Sequence, residues 1–551
     1  MSLQFITGNS GNGKTEYLFN RIVKEAKENP RDNYLVIVPE QFTMQTQRQL
    51  VDLSENKVIM NIDVLSFKRL AYRVFDELGI TNLTVLEETG KNLVLRKLAA
   101  QEADKLGVIG RNLNRIGYIS EVKSLLSELV QYNISPEELG RYIASGRLSD
   151  TLSDKLKDVL VLYEAFEKFM QDKYITAEEI LNVLSNVAEE SAILRNSVIA
   201  FDEFTGFTPI QNQLIKKLFV ISKKIYVTLT IDCREDIFKS RGMQELFDMP
   251  KRTVKSLTEM AAFYGIEVEE PIILDKNYRL AENEELSFME QQLFRKRRCS
   301  FKKAPKHIHI DCLRDPKQEL TKIARRINEL VRNENLRYRD IAIVTGDVNI
   351  YAGYVREIFD KYNIPYFIDA TQEILFHPFI EFIRSIPDIA AQNFSADAVF
   401  RFLRCGFSEL LDSEIDVLEN YVLACGVRGK SAWDKKWVRL PKHKAGYDLE
   451  LLNQSREYIM ELLKPVYHVF SNKNSTVKDY VLAIYKLIVL LDIPDKLAKK
   501  EQALLDAGDQ TASKEYGQIY KIVMQLFEKY VAVLGDECMD AEEFTQILDA
   551  G

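Results

Sequence analysis

The chain has 551 residues, of which 46% are hydrophobic and 28% are charged. This composition is that of a folded protein and excludes the disordered, collagen-like and low-complexity classes. The formal net charge of −8 excludes a uniformly basic coat for nucleic acid, although local basic grooves remain compatible with it. The length predicts roughly three to four domain-sized units.

The cysteines and the apolar runs indicate the compartment. Six scattered cysteines form neither a CxxC pair nor a zinc-finger spacing, which is typical of a large protein with reduced thiols. The apolar stretch at the N-terminus is too short for a signal peptide, because polar residues 8–15 interrupt it. No apolar run approaches the ~20 residues that span a bilayer. We therefore expect a cytoplasmic protein with no membrane partner.

A glycine-rich loop between a predicted strand, residues 3–7, and a predicted helix, residues 16–28, dominates the N-terminal region. The loop reads G-x-x-x-x-G-K-T and consists of Gly8, Asn9, Ser10, Gly11, Asn12, Gly13, Lys14 and Thr15. Glycine lets backbone N–H groups wrap a phosphate without a Cβ clash, and the helix N-terminus adds partial positive charge. Lys14 is expected to reach the β- and γ-phosphates, and the Thr15 hydroxyl to ligate Mg²⁺. The motif predicts a site for ATP and Mg²⁺.

A second apolar stretch, residues 197–201, ends in two carboxylates, Asp202 and Glu203. A phosphate-binding loop of this kind needs an acidic partner for Mg²⁺ at the end of another buried strand. We expect Asp202 to hold the Mg²⁺ together with Thr15, and Glu203 to orient an attacking water. The alternative is a strand that ends in a solvated acidic turn. No further residue is predicted to be catalytic.

The hydrophobic pattern divides the chain into five parts. Parallel-sheet α/β patterns alternate with long helical stretches, in which apolar residues recur every three to four positions. The predicted parts are 1–86 (α/β), 87–196 (helical insert), 197–293 (α/β), 294–390 (a second α/β unit) and 391–551 (helical insert). Further strands are predicted at 34–38, 58–64, 198–201, 225–231, 308–312 and 340–344, and further helices at 66–78 and 316–332.

Two basic stretches have two interpretations each. Residues 294–303 are either a strap that contacts phosphates or a solvated linker. Trp433 and Trp437, the only two tryptophans, lie among Lys430, Lys435, Lys436, Arg439, Lys442 and Lys444. They form either a platform on which bases stack or, more in keeping with their size, a packed loop with a charged rim.

The order of a phosphate-loop strand, a helical insert, an Asp-Glu strand and a second α/β unit resembles the superfamily 1 helicases of the UvrD type. Several stretches are more similar to one branch, the AddB family of B subunits in AddAB helicase–nucleases, the counterpart of RecBCD. They are V-P-E-Q at 38–41, S-F-K-R-L-A at 66–71, F-T-P at 207–209 and I-P-Y-F-I-D at 364–369, with His377 and Pro378 beyond. The resemblance covers essentially the whole chain, which would correspond to the N-terminal half of a family member.

The resemblance implies RecA-like helicase domains, with parallel sheets flanked by helices and large all-helical inserts. It implies an A-subunit partner in a heterodimer, and single-stranded and duplex-end DNA as ligands, with scanning for the Chi sequence. The nuclease domain and its iron–sulfur cluster belong to the family's later half and are not expected here. The DNA contacts carried over by motif are Glu40, Gln41, Thr43, Phe67, Arg69, Tyr72, Phe201 and Phe207.

Two departures from the motor helicases predict a degenerate motor. Glu235 stands where motors carry a glutamine that senses the γ-phosphate, and residues 345–347 stand where they carry an arginine finger. Loss of such a finger costs on the order of 10³-fold in rate. Residues 276–279 resemble a further motor motif but are equally compatible with a turn. The alternatives are an autonomous superfamily 1 helicase and a P-loop kinase or NTPase with helical accessory domains.

Overall fold

The computed structural model describes residues 1–80, 85–86, 88–107, 116–145, 148–171, 174–295, 299–369, 374–441 and 447–550. The strands are β1 (Ser2–Gly8), β2 (Tyr34–Ile37), β3 (Ile62–Leu65), β4 (Val85–Leu86), β5 (Ile175–Thr176), β6 (Val198–Phe201), β7 (Lys224–Thr230), β8 (Glu267–Val268) and β9 (Ile272–Leu274).

The helices divide among three stretches of the chain. The first stretch contains α1 (Lys14–Glu28), α2 (Thr43–Leu53) and α3 (Phe67–Leu78), followed by α4 (Glu88–Gln101), α5 (Ile116–Gln131), α6 (Pro136–Ala144), α7 (Asp150–Met170) and α8 (Ile180–Val187). The second contains α9 (Pro209–Ile221), α10 (Asp248–Phe263), α11 (Glu284–Gln292), α12 (Pro316–Asn333) and α13 (Asn349–Lys361). The third contains α14 (Pro378–Ala391), α15 (Ala396–Leu403), α16 (Asp412–Cys425), α17 (Lys430–Asp434), α18 (Leu449–Phe470), α19 (Val477–Leu490), α20 (Ile493–Asp506), α21 (Gln510–Leu534) and α22 (Ala541–Ala550).

Seven of the strands form one parallel sheet in the order β3-β2-β6-β7-β1-β8, with β9 pairing beside β8 along β1. β2 and β6 are buried along their whole length, and β1 beyond its first residue, as expected of strands covered on both faces. The mixed α/β fold predicted from the sequence is therefore confirmed, including the strands predicted at 3–7, 34–38, 198–201 and 225–231.

Helices cover both faces of this sheet. One face packs against α3, α8, α9 and α10 through apolar residues such as Leu70 and Leu214. The other packs against α1 and α2 through residues such as Leu18 and Leu50. Because the helices begin where the parallel strands end, their N-termini and the loops before them collect along one edge of the sheet.

Two helical regions, α4–α7 and α14–α22, each have their own apolar core and also contact each other. Lys97 of α4 forms an ion pair with Glu537 at 2.6 Å. The Tyr174 hydroxyl donates a hydrogen bond to the carbonyl of Ala532 at 3.3 Å. Helices thus occupy the stretches where the sequence predicts them, while the five-part domain division stays a prediction.

The strands predicted at 308–312 and 340–344 are wrong for this structure. Neither segment joins a ladder within the described residues, and Ile310 and Val344 are 93% and 92% exposed. α12, which lies between the two segments in the chain, packs with α13, which follows them, around Leu320 and Ile358. Apolar residues made both segments resemble strands, but a strand also needs a hydrogen-bonding neighbour.

Two smaller differences concern the main sheet. Of the strand predicted at 58–64, only Ile62–Leu65 forms, beside β2. The short strands β8 and β9 were not predicted, because two or three residues give too little periodicity to detect.

No helix in the described ranges is both long enough and apolar enough to cross a membrane.

Substitution of Leu214 by Ala tests whether α9 is anchored to the sheet. Leu214 is 0% exposed, whereas Val220 on the same helix is 43% exposed. We expect Leu214→Ala to destabilise the fold by about 2–5 kcal/mol through lost burial and a residual cavity. Val220→Ala is expected to change the stability by less than about 0.5 kcal/mol. Chemical denaturation followed by circular dichroism measures both, and equal effects would contradict the packing described.

Candidate functional site

The loops that follow β1, β2, β3, β6 and β7 meet at the carboxyl edge of the sheet. In open parallel sheets this edge is where ligands bind. Three of the loops matter most: residues 8–13 after β1, residues 38–42 after β2, and residues 202–207 after β6.

Two glycines of the 8–13 loop have backbone conformations that other residues rarely adopt. Gly11 has φ +86° and Gly13 has φ +77°, and Gly13 is the N-cap of α1. A Cβ on Gly11 would lie 2.9 Å from Cβ of Arg279, so the loop has no room for a side chain there. The loop can therefore bend tightly and leave the first N–H groups of α1 free for an anion.

Lys14, the first residue of α1, points back over the loop. Its ammonium donates a hydrogen bond to the Asn9 carbonyl at 3.0 Å. Burial lowers the pKa of Lys14, while the nearby carboxylates of Glu203 and Asp202 oppose that shift. A half-buried cation facing two carboxylates across the mouth of the loop is suited to bind an anion that also carries a metal ion.

Asp202 lies immediately beyond β6 and is 1% exposed. Its Oδ1 accepts hydrogen bonds from the hydroxyls of Thr15, at 3.3 Å, and Thr228. Its Oδ2 has no hydrogen-bond partner among the described residues, and burial raises the pKa of this carboxyl. An unpartnered buried carboxylate oxygen beside a threonine hydroxyl fits a hard divalent cation such as Mg²⁺.

Glu203 follows with φ +64°, a left-handed conformation that is uncommon for a residue with a side chain. Its Oε1 accepts a hydrogen bond from the Thr15 hydroxyl at 3.4 Å. The described residues contain no cluster of three or more His, Cys, Asp or Glu side chains suited to a metal. Mg²⁺ usually takes one or two protein ligands and completes its shell with phosphates and waters.

Residues 276–279, which the sequence left undecided, lie against the 8–13 loop. The Asn277 amide donates to the Ser10 carbonyl at 2.9 Å, and the Tyr278 N–H donates to the Gly11 carbonyl at 3.0 Å. The Tyr278 ring lies close to Gly13 and is 63% exposed. This segment thus brings an aromatic ring and Arg279 to the loop, a juxtaposition that sequence spacing could not reveal.

A polar framework holds the other side of the loop. Asn9 donates to Glu290 at 2.9 Å and accepts from the Cys233 N–H at 2.9 Å. Beside it, hydrogen bonds from Arg234 and Arg295 overcome the effect of burial and hold the pKa of Asp232 far below its ordinary range. The loop is therefore fixed from β7 and α11 as well as from its own strand.

Glu235, the residue that departs from the motor pattern, is paired. Its carboxylate forms an ion pair at 2.6 Å with Lys251, which is itself buried and also contacts Glu245. Although burial opposes it, hydrogen bonds to these two carboxylates raise the pKa of Lys251. The negative charge of Glu235 is therefore neutralised within the protein.

Four phenylalanine rings gather beside Asp202. The Phe67 ring lies 5.8 Å from Phe201, 5.6 Å from Phe204 and 6.4 Å from Phe207. Phe204 and Phe207 are half-buried, whereas Phe67 is 8% and Phe201 1% exposed. The structure brings together three of the predicted DNA-contacting residues and adds Phe204, whose position in a turn gave no sequence signal. The enclosed ring of Phe201 has no face open to a base, so we do not propose a direct contact for it.

The remaining predicted contacts border the same cluster. Glu40 and Gln41 are exposed in the turn after β2, and Thr43 is buried, its hydroxyl donating to the Glu40 carbonyl at 3.0 Å. Arg69 is exposed on α3, and Tyr72 is 39% exposed one turn further along. The burial of Thr43 gives it a local structural role and removes it from the contact surface.

A cavity of about 320 Å³ lies between these elements. Its walls include Pro39, Glu40, Phe67, Lys68 and Phe204. Lys68 and Arg69 are exposed and form no ion pair within the described part of the chain. The groove therefore combines apolar faces with charged side chains of both signs, Glu40 and Lys68.

The fold and the site define an α/β protein with a G-x-x-x-x-G-K-T loop and a buried carboxylate at the strand ends of a parallel sheet. The family model for the N-terminal part of ADDB matches residues 5–290. The chain therefore belongs to the AddB family, as the resemblance in the sequence implied.

Individual relatives extend the similarity over the whole chain. The B subunit of the ATP-dependent helicase/deoxyribonuclease of Lachnoclostridium phytofermentans is 38% identical across all of this chain and 49% of its own length. The proteins of the same name from Clostridium acetobutylicum and Clostridioides difficile are 32% and 31% identical, again across all of this chain and 48% of theirs. The chain spans about half the length of the curated relatives it matches.

Replacement of Asp202 by Asn tests the cost of the buried charge. Burial raises the folded-state pKa of Asp202, so ionisation at neutral pH destabilises the fold. In EDTA at pH 7.5 we expect Asp202→Asn to raise the melting temperature. The gain should shrink as the pH falls through the raised pKa towards the ordinary carboxyl value, because protonation then removes the charge from the wild type. A variant that melts lower at pH 7.5 and gains stability in acid would contradict this assignment.

Proposed function

We propose that this chain is the N-terminal, helicase-like part of the B subunit of an AddAB-type helicase–nuclease that processes double-strand DNA ends for recombinational repair. In this proposal it binds Mg·ATP at the 8–15 loop and single-stranded DNA along the adjacent groove. The observation that carries the proposal is the meeting of Lys14, Thr15 and the unpartnered, buried carboxylate oxygen of Asp202 at one point.

The residues fit ATP with Mg²⁺ in distinct roles. Free N–H groups at the start of α1 receive the phosphates, and Lys14 balances their charge. Thr15 and Asp202 hold the Mg²⁺, which neutralises charge on the phosphate oxygens when bound. Glu203 orients a water beside them. Tyr278 and Arg279 close the loop from the other side, where an aromatic face suits a base and a guanidinium suits a phosphate.

Two features of this chain support the proposal that it is at most a weak motor. Residues 345–347 supply no arginine, and Glu235 offers a carboxylate already committed to Lys251 where a γ-phosphate sensor would need a neutral amide. Arginine fingers and positioned side chains of this kind supply much of the rate of nucleotide hydrolysis. We therefore assign this part at most slow ATP hydrolysis, with translocation driven by the A-type partner.

The groove beside Asp202 supports single-strand binding. Unpaired bases can stack on the ring faces of Phe204 and Phe207 and contact the edge of Phe67. Lys68 and Arg69 face the phosphates. Gln41 and Glu40 stand at the rim, where their side chains reach base edges. Phe201 and Thr43 lie behind this surface and support it. A groove that combines stacking faces with polar side chains is suited to scan a strand for a recombination hotspot such as Chi.

The name of the relatives supports a multisubunit enzyme. Each of them is named as the B subunit of an ATP-dependent helicase/deoxyribonuclease, so an A-type partner is proposed for this chain as well. Duplex ends are the substrate class that a helicase–nuclease would deliver to the groove. The nuclease activity is assigned to the half of the relatives that this chain does not span.

Lys14→Ala tests nucleotide binding, with Lys24→Ala as the matched control on the same helix. Lys24 is exposed and forms no ion pair within the described residues, so only the first change touches the loop. We expect Lys14→Ala to weaken Mg·ATP binding by about tenfold or more, since a charge-assisted contact is lost. Isothermal titration calorimetry gives both affinities, and equal affinities would remove Lys14 from the site.

The double variant Lys68→Ala/Arg69→Ala tests the groove, with Arg48→Ala on α2 as an exposed, unpaired control. We expect weaker binding of single-stranded oligonucleotides and a shallower dependence on salt, by about 0.7 in log–log slope per lost phosphate contact. Phe204→Ala should cost about 1–3 kcal/mol with little change in the salt slope. Fluorescence anisotropy measures the wild type and the three variants. If no variant changes the affinity for single strands, the groove is not the binding site.

An unwinding assay separates this proposal from its alternatives. The wild-type chain alone is expected to bind ATP but not to unwind a partial duplex at a motor-like rate. Rapid unwinding that Lys14→Ala abolishes would instead identify an autonomous helicase. ATP-dependent phosphorylation of a small acceptor without DNA affinity would identify a kinase.

A further inference from the structure

The segment between α16 and α18 is a concentrated patch of positive charge. Residues 428–441 contain five basic residues and one acidic residue, in a chain whose formal net charge is −8. Half of the segment, residues 435–441, has no helix or strand. We call residues 435–441 the basic loop.

The two tryptophans of the segment, Trp433 just before the basic loop and Trp437 within it, are not available to a ligand. Trp433 is 0% and Trp437 7% exposed, and their rings lie 5.3 Å apart in an edge-on arrangement. Trp437 also packs 5.1 Å from Tyr421. The packed-loop interpretation of the sequence is therefore correct, and the stacking platform is wrong, because both indole rings are enclosed in the apolar core.

Burial of the tryptophans fixes the backbone of the basic loop. The Trp437 N–H donates to Oδ1 of Asn453, and the Asn453 amide donates to the Trp437 carbonyl, both at 2.9 Å. Arg456 donates to the Trp433 carbonyl at 2.9 Å, and the Tyr421 hydroxyl to the Arg439 carbonyl at 2.7 Å. Asn453, Arg456 and Tyr421 are all at least nine-tenths buried. The basic loop is thus held at Trp437 and Arg439, and the adjoining helix α17 at Trp433, by interior side chains.

The cations of the loop point outwards and are unpaired. Lys435, Lys436 and Arg439 are exposed, and none forms an ion pair or a side-chain hydrogen bond within the described part of the protein. Lys430 differs, because it forms an ion pair with Asp434. Three cations on a rigid loop can contact a polyanion while losing only side-chain freedom, since the backbone is already ordered.

We propose that the basic loop binds the phosphate backbone of duplex DNA. The three outward side chains suit phosphates, which supply the sequence-independent part of protein–DNA affinity. A single strand is the poorer fit, because such sites add aromatic faces for the bases and every aromatic ring of this segment is buried. The aliphatic side chains of Val438 and Leu440, which are 77% and 56% exposed, lie among the cations and offer no stacking face.

The inference rests on the proposed function in taking DNA as the ligand. The basic loop, however, shares no residue with the 8–15 loop or with the groove whose wall includes Phe67. Lys442 and Lys444, which the sequence places next to the loop, lie outside the described residues, and the proposal does not use them. The loop would contact duplex ahead of the point where strands separate, while the groove takes the single strand.

The test is binding of a blunt-ended duplex of random sequence to the wild-type chain and to Lys435→Ala/Lys436→Ala/Arg439→Ala. The control, Lys486→Ala/Lys499→Ala/Lys500→Ala, removes the same charge from exposed, unpaired lysines of α19 and α20. Anisotropy is measured over a range of salt, and melting temperatures establish that all three proteins are equally folded. The loop variant is expected to bind at least about tenfold more weakly at low salt, with a log–log slope shallower by about 2–3.

Three results would overturn the proposal: no duplex binding by the wild type, an unchanged loop variant, or an equal loss in the control. Single-stranded binding and Mg·ATP binding are measured on the same proteins. The loop variant should keep its affinity for Mg·ATP and lose little for single strands. Failure of the nucleotide site would therefore be seen separately from failure of the loop.

Discussion

The buried carboxylate of Asp202 is the interaction on which the candidate site depends. One of its oxygens accepts hydrogen bonds from Thr15 of α1 and Thr228 of β7, and so ties three neighbouring elements of the sheet edge together. The other oxygen is buried without a partner. A charged group buried in this way destabilises the fold, and proteins keep such groups mainly where binding of a ligand offsets the lost stability. Mg²⁺ held against phosphates is the ligand that these surroundings fit.

The same strand end serves two surfaces. Asp202 faces the 8–15 loop, and two residues later Phe204 enters the aromatic cluster with Phe67 and Phe207. Between them Glu203 has φ +64°, so the backbone turns sharply at the junction. In the proposed function, a change at the Asp202 carboxylate would therefore act on the groove directly, without a long pathway. This would give a physical basis for nucleotide-dependent handling of DNA, even with the slow ATP hydrolysis that we propose.

The sequence predicts the centre of the molecule well and its periphery poorly. Continuous apolar strands and the glycine loop identify the sheet, and the Asp-Glu pair after β6 identifies the partner of Thr15. The approach of residues 276–279 to Gly11 could not be predicted, because it depends on tertiary packing across more than 260 positions. Nor could the burial of Thr43, since a hydroxyl residue after a strand looks the same whether it faces solvent or core. The apolar segments at 308–312 and 340–344 were mistaken for strands because the presence or absence of a pairing partner leaves no local signal.

The most direct test of this account is the affinity of the wild-type chain for ATP, measured by calorimetry in Mg²⁺ and again in EDTA. If Thr15 and the free oxygen of Asp202 hold a metal ion that bridges to the phosphates, binding in Mg²⁺ should be tighter by about tenfold or more. Equal affinity in both buffers would leave the buried carboxylate without its ligand and contradict the central claim. Absence of binding in both would remove the nucleotide site altogether.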